Sequence, residues 1–262
     1  GTAPPVTDGA SSVLYGDKMI VFGGYNSALF SDQNTTWAFD LTNNTWSQLH
    51  DGSNNGIAPS PRQQQISLLY GNKMIVFGGH NKGNEVWVLD LNQSPPVWSE
   101  LIIDGTKPDG LKAPAHGIYN DKMILFGGYG GGSNQNITWA LDLINNTWAQ
   151  LHDGSSNGIA PDARSHTMSQ IYGDKMIVFG GYIHPTRLND TWVFNLTNNT
   201  WAQLDDGTGT APPARTSSRS ILYNDSFIIF GGFSGDWPAF NDTWVFEIKM
   251  LLSNCVNHYK RN

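Results

Sequence analysis

The sequence predicts an all-β chain made of five repeated four-stranded antiparallel elements, and three observations carry that expectation. The string Phe-Gly-Gly occurs five times, with paired glycines at Gly23/Gly24, Gly78/Gly79, Gly127/Gly128, Gly180/Gly181 and Gly231/Gly232, at steps of 55, 49, 53 and 51 residues. Self-similarity at one period of tens of residues marks a repeat architecture. Composition agrees: 29 glycines and 10 tryptophans stand beside a charged fraction of only 14%, where an ordinary soluble domain has about 25%. Finally, the run before each Gly-Gly is apolar throughout, as in Met19-Ile20-Val21-Phe22 and Met176-Ile177-Val178-Phe179. A strand without alternation is expected to be covered on both faces. A small sheet stacked between like sheets meets that demand, which is the arrangement of β-propeller blades.

Each repeat reads as four strands. The first ends in a tyrosine, as in Gln65–Tyr70 and Ser217–Tyr223. Gly-Asp, Gly-Asn or Asn-Asp follows, residues that tolerate the positive φ of a tight hairpin. The second strand is the apolar run. A third carries Trp37, Trp87, Trp139, Trp192 or Trp244, and a fourth carries Trp46, Trp98, Trp148 or Trp201. The indoles are expected to fill the wedge between blades, and the glycine pairs to turn the backbone where a Cβ would clash. The repeats divide one propeller, residues 1–262, at about 1–56, 57–108, 109–158, 159–210 and 211–262. No second Trp follows Trp244, so Leu251–Tyr259 is expected to supply a degenerate outer strand; the alternative is a piece of a longer propeller.

The tyrosine-ended strand, the apolar strand closing in Gly-Gly and the two spaced tryptophans together resemble the kelch repeat. The linkers Pro61-Arg62, Asp162-Ala163-Arg164 and Pro213-Ala214-Arg215, with His166 after Arg164, fit the same pattern, and the resemblance covers about residues 1–249. It implies a kelch-type β-propeller of five blades. It also implies a choice of roles, since kelch propellers serve as binding modules and some kelch-like propellers are enzymes. A galactose oxidase type of copper site finds no counterpart, because Cys255 lies in the tail. A sugar-processing enzyme of the sialate mutarotase type rests only on the linker arginines.

Other classes are argued against by composition. The single cysteine excludes a disulfide framework and a thiolate zinc site. No HExxH or other close ligand set occurs, so no metal, cofactor or catalytic residue is assigned. His50-Asp51 and His152-Asp153 are copies of one another in the same linker and read as turn chemistry. The net charge of −7 lacks the basic footprint of a nucleic-acid binder, and no apolar run reaches the ~18–20 residues of a membrane span. Ten Asn-x-Ser/Thr sequons, among them Asn34, Asn43, Asn136, Asn145, Asn189 and Asn198, are as well explained by hairpin turns as by glycosylation. The low charge density and lone cysteine fit an extracellular or cell-surface setting, slightly favoured over a cytoplasmic one.

In a four-stranded meander, loops between strands one and two share a face with loops between three and four. Those loops are short and nearly identical among copies. Loops after Gly-Gly share the other face with the inter-repeat linkers, and they vary, so this face is the expected binding surface. It offers Tyr25 and Phe30, His80, Tyr129, then Tyr182, His184 and Arg187, then Phe233, Trp237 and Phe240. Aromatic and arginine side chains are the common anchors of a protein or peptide partner. Arg62, Arg164 and Arg215, with His166, either converge on a ligand carboxylate by charge-assisted hydrogen bonds or tie each linker to its blade. The sequence thus points to a non-catalytic protein- or peptide-binding propeller, with a glycan ligand as first alternative.

Overall fold

The computed structural model describes residues 2–53, 58–155, 159–235, 239–248 and 259–261. Five four-stranded sheets follow one another along the chain. The first joins β1 (Ser11–Tyr15), β2 (Lys18–Phe22), β5 (Thr36–Asp40) and β6 (Thr45–His50), with a small hairpin β3 (Tyr25–Asn26) and β4 (Ser31–Asp32) in the loop after Gly24. The second contains β7 (Ile66–Tyr70), β8 (Lys73–Phe77), β9 (Val86–Asp90) and β10 (Val97–Leu101). In the third, β11 (Ala115–Tyr119), β12 (Lys122–Phe126), β15 (Thr138–Asp142) and β16 (Thr147–His152) frame a second small hairpin, β13 (Tyr129–Gly130) and β14 (Ser133–Asn134). The fourth, β17 (Met168–Tyr172), β18 (Lys175–Ile183), β19 (Thr186–Asn195) and β20 (Thr200–Asp205), extends its central hairpin past the glycines to a turn at His184-Pro185. The fifth comprises β21 (Arg219–Tyr223), β22 (Ser226–Phe230), β23 (Thr243–Glu247) and β24 (Tyr259–Arg261).

The turns have a local cause. Between β5 and β6, Asp40 Oδ1 accepts from the Thr42 and Asn43 amides while Asn44 takes φ +54°. Asp142, Asn145 and Asn146 repeat the arrangement. A carboxylate capping its own turn, followed by a residue that accepts the left-handed region, closes the hairpin without help from the core. His50 and His152 play a comparable part, each accepting at Nδ1 from the amide of Gly52 or Gly154 at 3.1 Å. Three sequon asparagines are also built in: Asn34, Asn136 and Asn189 donate from Nδ2 to the carbonyls of Gly52, Gly154 and Gly207.

Packing divides the chain into two compact units, Gly1–Ala113 with Asp142–Trp148, and Pro114–Leu141 with Ala149–Asn262. In the first, Phe22, Met74, Val76, Leu89 and Trp98 form the core between the first two sheets. The Trp98 indole lies 4.9 Å from the Phe22 ring and donates to Thr36 Oγ1 at 3.2 Å. The second unit repeats this: Trp201 lies 4.5 Å from Phe126 and donates to Thr138 Oγ1 at 3.2 Å. A further core between the fourth and fifth sheets gathers Ile177, Phe179, Phe227, Ile229 and Trp244. Met74, Ile75, Val76 and Phe77 are all buried, as the unbroken apolar run requires. Each such side chain contributes about 1.5–3 kcal/mol relative to exposure.

The fifth sheet takes its outer strand from the tail, with Tyr259, Lys260 and Arg261 opposite Phe246, Val245 and Trp244. Of the segment expected to form that strand only Tyr259 takes part; Leu251–His258 lie outside the described residues. Deleting residues 250–262 strips β23 of its neighbour and leaves its backbone groups at an open edge. We expect the melting temperature to fall by about 4–8 °C, corresponding to about 2 kcal/mol in a chain of this size. An unchanged thermal transition would show that β24 adds nothing to the fold.

Candidate functional site

The linker arginines are buried and fully engaged. Arg164 donates from Nε to the Asp162 carbonyl, from Nη1 to the Gly180 carbonyl, and from both Nη atoms to the Asp190 carboxylate at 2.6 and 2.9 Å. Arg215 makes the same set to Pro213, Gly231 and Asp242, and the Phe240 ring stacks on its guanidinium at 4.2 Å. Arg62 binds the Ser60 and Gly78 carbonyls and Glu85 at 2.7 Å. Burial pushes the Arg62 guanidinium below its usual range, against the pull of Glu85. Burial also raises the Glu85 carboxyl, but its own amide and Arg62 outweigh that and hold it low.

The carboxylates were not anticipated. Each sits two residues before the third-strand tryptophan, and Asp190 and Asp242 also accept from the indoles of Trp192 and Trp244 at 2.7 and 2.8 Å. A signal existed in the repeats. Where the linker position is Thr7 or Leu111 instead of arginine, the partner position is Thr35 or Ile137 instead of an acid. Charge is present on both sides or on neither, as expected when an unpaired buried ion is costly.

The residue after each linker arginine, and after Thr7 in the first repeat, pairs with the residue after Gly-Gly. Isolated bridges join Asp8 to Tyr25, Ser165 to Tyr182 and Thr216 to Phe233, and the His80 amide donates to the Gln63 carbonyl. Linkers and post-glycine loops therefore do lie side by side. One position further on, His166 takes φ +55° and its Nδ1 lies 3.1 Å from Ser165 Oγ. Gln64, Ala113 and Ser217 share that left-handed conformation.

In the second unit, loops of the third, fourth and fifth sheets meet around Arg187. Its guanidinium carbon lies 4.9 Å from the centre of the Tyr182 ring and 5.8 Å from that of Phe233. Nη1 donates to the Pro185 carbonyl at 3.0 Å, while Nε is buried without a partner. Among the described residues no carboxylate pairs with it. The Tyr182 hydroxyl bonds His184 Nδ1 at 2.7 Å, and Asn134 donates to the Tyr182 carbonyl at 3.0 Å. Asn134 Oδ1 and Thr216 Oγ1 are buried and unpartnered as well. Gly235, at φ +111°, leaves room for the guanidinium, since a Cβ there would lie 2.9 Å from Nη1. A cation held between two rings, with a buried donor unspent and no acid paired with it among the described residues, is suited to an anionic group.

The other expected residues are dispersed. Phe30 is 83% exposed on its turn at φ +52°, and Tyr129 is half-exposed, its hydroxyl donating to the Gly132 carbonyl. Tyr25 and His80 are partly buried in the first unit. Trp237 lies outside the described residues. Asn134 and Gly235 belong to the cluster but carry no signal in sequence. Among the described residues, no three His, Cys, Asp or Glu side chains gather to hold a metal, and no helix is long and apolar enough to cross a membrane.

Comparison with known proteins agrees with this architecture. The KLHDC2/KLHL20/DRC7 Kelch-repeats domain matches residues 1–119 and 82–254. Kelch domain-containing protein 1 of Mus musculus is 25% identical over 261 residues, covering 97% of this chain and 55% of that protein. Kelch domain-containing protein 10 of Homo sapiens is 26% identical over 271 residues, covering 94% and 59%. The leucine-zipper-like transcriptional regulator 1 homolog of Drosophila melanogaster is 25% identical over 259 residues, covering 94% and 26%. The chain thus spans between a quarter and three-fifths of the length of these relatives. With its paired glycines, its indole-filled cores and its five four-stranded antiparallel blades, the chain belongs to the Kelch-repeat family of β-propellers.

Proposed function

We propose that this chain is a non-catalytic binding module. It holds a protein or peptide partner on the loops of its third, fourth and fifth blades, with Arg187 receiving an acidic side chain of that partner. The observation that carries this reading is the contrast among arginines. Three spend their donors inside the fold, whereas Arg187 makes one hydrogen bond among the described residues and stacks between Tyr182 and Phe233. The flanking rings lower the entropic cost of ordering the guanidinium, and they offer the apolar contact area that aromatic anchors supply.

A peptide library displayed on phage and panned against the immobilised 262-residue chain provides the test. Selected peptides are expected to carry Asp or Glu beside apolar residues. Arg187→Ala is expected to weaken them by about ten- to a hundredfold, the range for a charge-assisted hydrogen bond of about 1.5–3 kcal/mol. The folded state should survive, because among the described residues this side chain's hydrogen bond is to the Pro185 carbonyl of its own turn. Peptides that bind the variant as tightly as the parent would move the site elsewhere.

A further inference from the structure

The Arg187 cluster holds an unsatisfied acceptor as well as an unsatisfied cation. Asn134 donates from Nδ2 to the Tyr182 carbonyl, so its Oδ1 faces the cluster as an acceptor, buried and without a donor among the described residues. Thr216 Oγ1 and Arg187 Nε are buried in the same condition. The three belong to one place. Tyr182 stands opposite Arg187 in the β18–β19 hairpin, and Thr216 is bridged to Phe233, whose ring flanks the same guanidinium. All of them lie in the second compact unit. Folded proteins leave few buried polar groups unpaired, so each of these calls for a partner.

The first blade shows what the missing partner of Asn134 is. Gln33 and Gln135 hold equivalent places: their amides donate to the Gly24 and Gly128 carbonyls, and their carbonyls accept from the Arg62 and Arg164 amides. Asp32, one residue earlier, is therefore the equivalent of Asn134, and Gln63 is the equivalent of Ser165. In the first blade Asp32 Oδ1 accepts from the carboxamide Nε2 of Gln63 at 3.0 Å. Ser165 has no carboxamide, and its hydroxyl lies 3.1 Å from His166 Nδ1. An amide N–H fills the position in one blade and is absent from the other.

This narrows the ligand. Sulfate or a phosphate dianion consists of acceptors, and beside Arg187 it would set lone pairs against Asn134 Oδ1. A carboxylate on a chain that also carries N–H groups satisfies both sides. We infer that the partner's main chain docks here together with its acid. The Asp or Glu carboxylate accepts from Arg187 and from the Thr216 hydroxyl, while a neighbouring main-chain N–H donates to Asn134 Oδ1, as Gln63 Nε2 does to Asp32. This rests on the acidic-partner reading of Arg187, and it makes Asn134 the residue that tells an acidic peptide from a free anion.

The tightest acidic peptide selected on phage is the probe. Each of its main-chain amides is replaced in turn by an ester, which removes one N–H and keeps every side chain. One ester, next to the acid, is expected to weaken binding to the 262-residue chain by about tenfold. Asn134→Ala should bind the all-amide peptide about tenfold less tightly and show no further loss with that ester, because donor and acceptor form one contact. The Tyr182 carbonyl keeps the Ser165 amide at 3.2 Å in this variant, and circular dichroism checks its fold. If every ester binds like the amide, or the ester penalty persists in Asn134→Ala, the inference is overturned. A loss in Arg187→Ala would then still uphold the acidic-partner reading. If no acidic peptide is selected, or Arg187→Ala binds like the parent, both are overturned.

Discussion

Asp242→Ala is expected to destabilise the protein by about 3–5 kcal/mol, the cost of leaving a buried charge without its partner. Arg215 is 0% exposed and Asp242 is 7% exposed, and they meet through two hydrogen bonds of 2.7 and 3.0 Å. Removing the acid strands the guanidinium under the Phe240 ring and leaves the Trp244 indole without its acceptor. The double change Arg215→Leu with Asp242→Ile should recover most of the loss, because it copies the apolar pair Leu111 and Ile137 of the third repeat. A deficit of about 1–2 kcal/mol should remain for the unpaired Trp244 Nε1. Trp87 Nε1 already stands in that condition, buried and without a partner. Urea unfolding of the parent, the single and the double variant measures all three quantities. A double variant no more stable than the single one would mean that the pair does not act as a unit.

Acid should reveal the same contact. Arg215 holds the Asp242 carboxyl below the usual aspartate range, against a smaller upward push from burial. A depressed folded-state value means that the stabilisation is complete above the unfolded value of about 3.9. It is lost as pH falls through the lower folded value. As pH falls below about 3.9 and through the lower folded value, the stability gap between the parent and Asp242→Ala should therefore shrink.

The second large effect is expected at the glycine pairs. Gly127 has φ +66°, and a Cβ on it would lie 2.5 Å from the Arg164 carbonyl of the next blade. That carbonyl also accepts from the Gly128 amide at 2.8 Å, so it cannot withdraw without breaking the join. Gly127→Ala combines left-handed strain of about 1–2 kcal/mol with loss of that hydrogen bond, about 1 kcal/mol. Together they lower the melting temperature by about 4–12 °C. Gly173 is the control. Its φ is +57° but nothing lies within 4 Å, and Asn120 and Asn224 hold the equivalent turn position at φ +43° and +52°. Gly173→Asn should change stability by about 0.5 kcal/mol or less. Equal losses at both glycines would leave backbone conformation alone as the reason for the pair.

Much of the fold was legible in the chain. Repeated Tyr-turn-apolar-Gly-Gly strings fix strand identity and order, because local turn chemistry and an unbroken apolar run leave few other arrangements. The role of the linker arginines was only half legible. Arg164 and Asp190 are 26 residues apart, and they show as a pair only when the copies that lack both are laid beside those that have both. The Arg187 cluster was legible as residue types and not as a place. Its rings come from loops of different blades, and the sequence says nothing of which loops touch.

The sequence by itself determined the five-fold repeat, the four strands of each blade and the positions where only glycine fits. Each of these follows from interactions within one repeat or with its immediate neighbour. Only the tertiary structure decided which arginines meet a buried acid and which, among the described residues, does not. A guanidinium's availability depends on the acid and the desolvation it meets after folding, and four identical side chains met different surroundings. It also decided that Phe230, the same residue as its four buried counterparts, stands in the open. Burial belongs to the surface that covers a side chain, and no residue encodes its own cover.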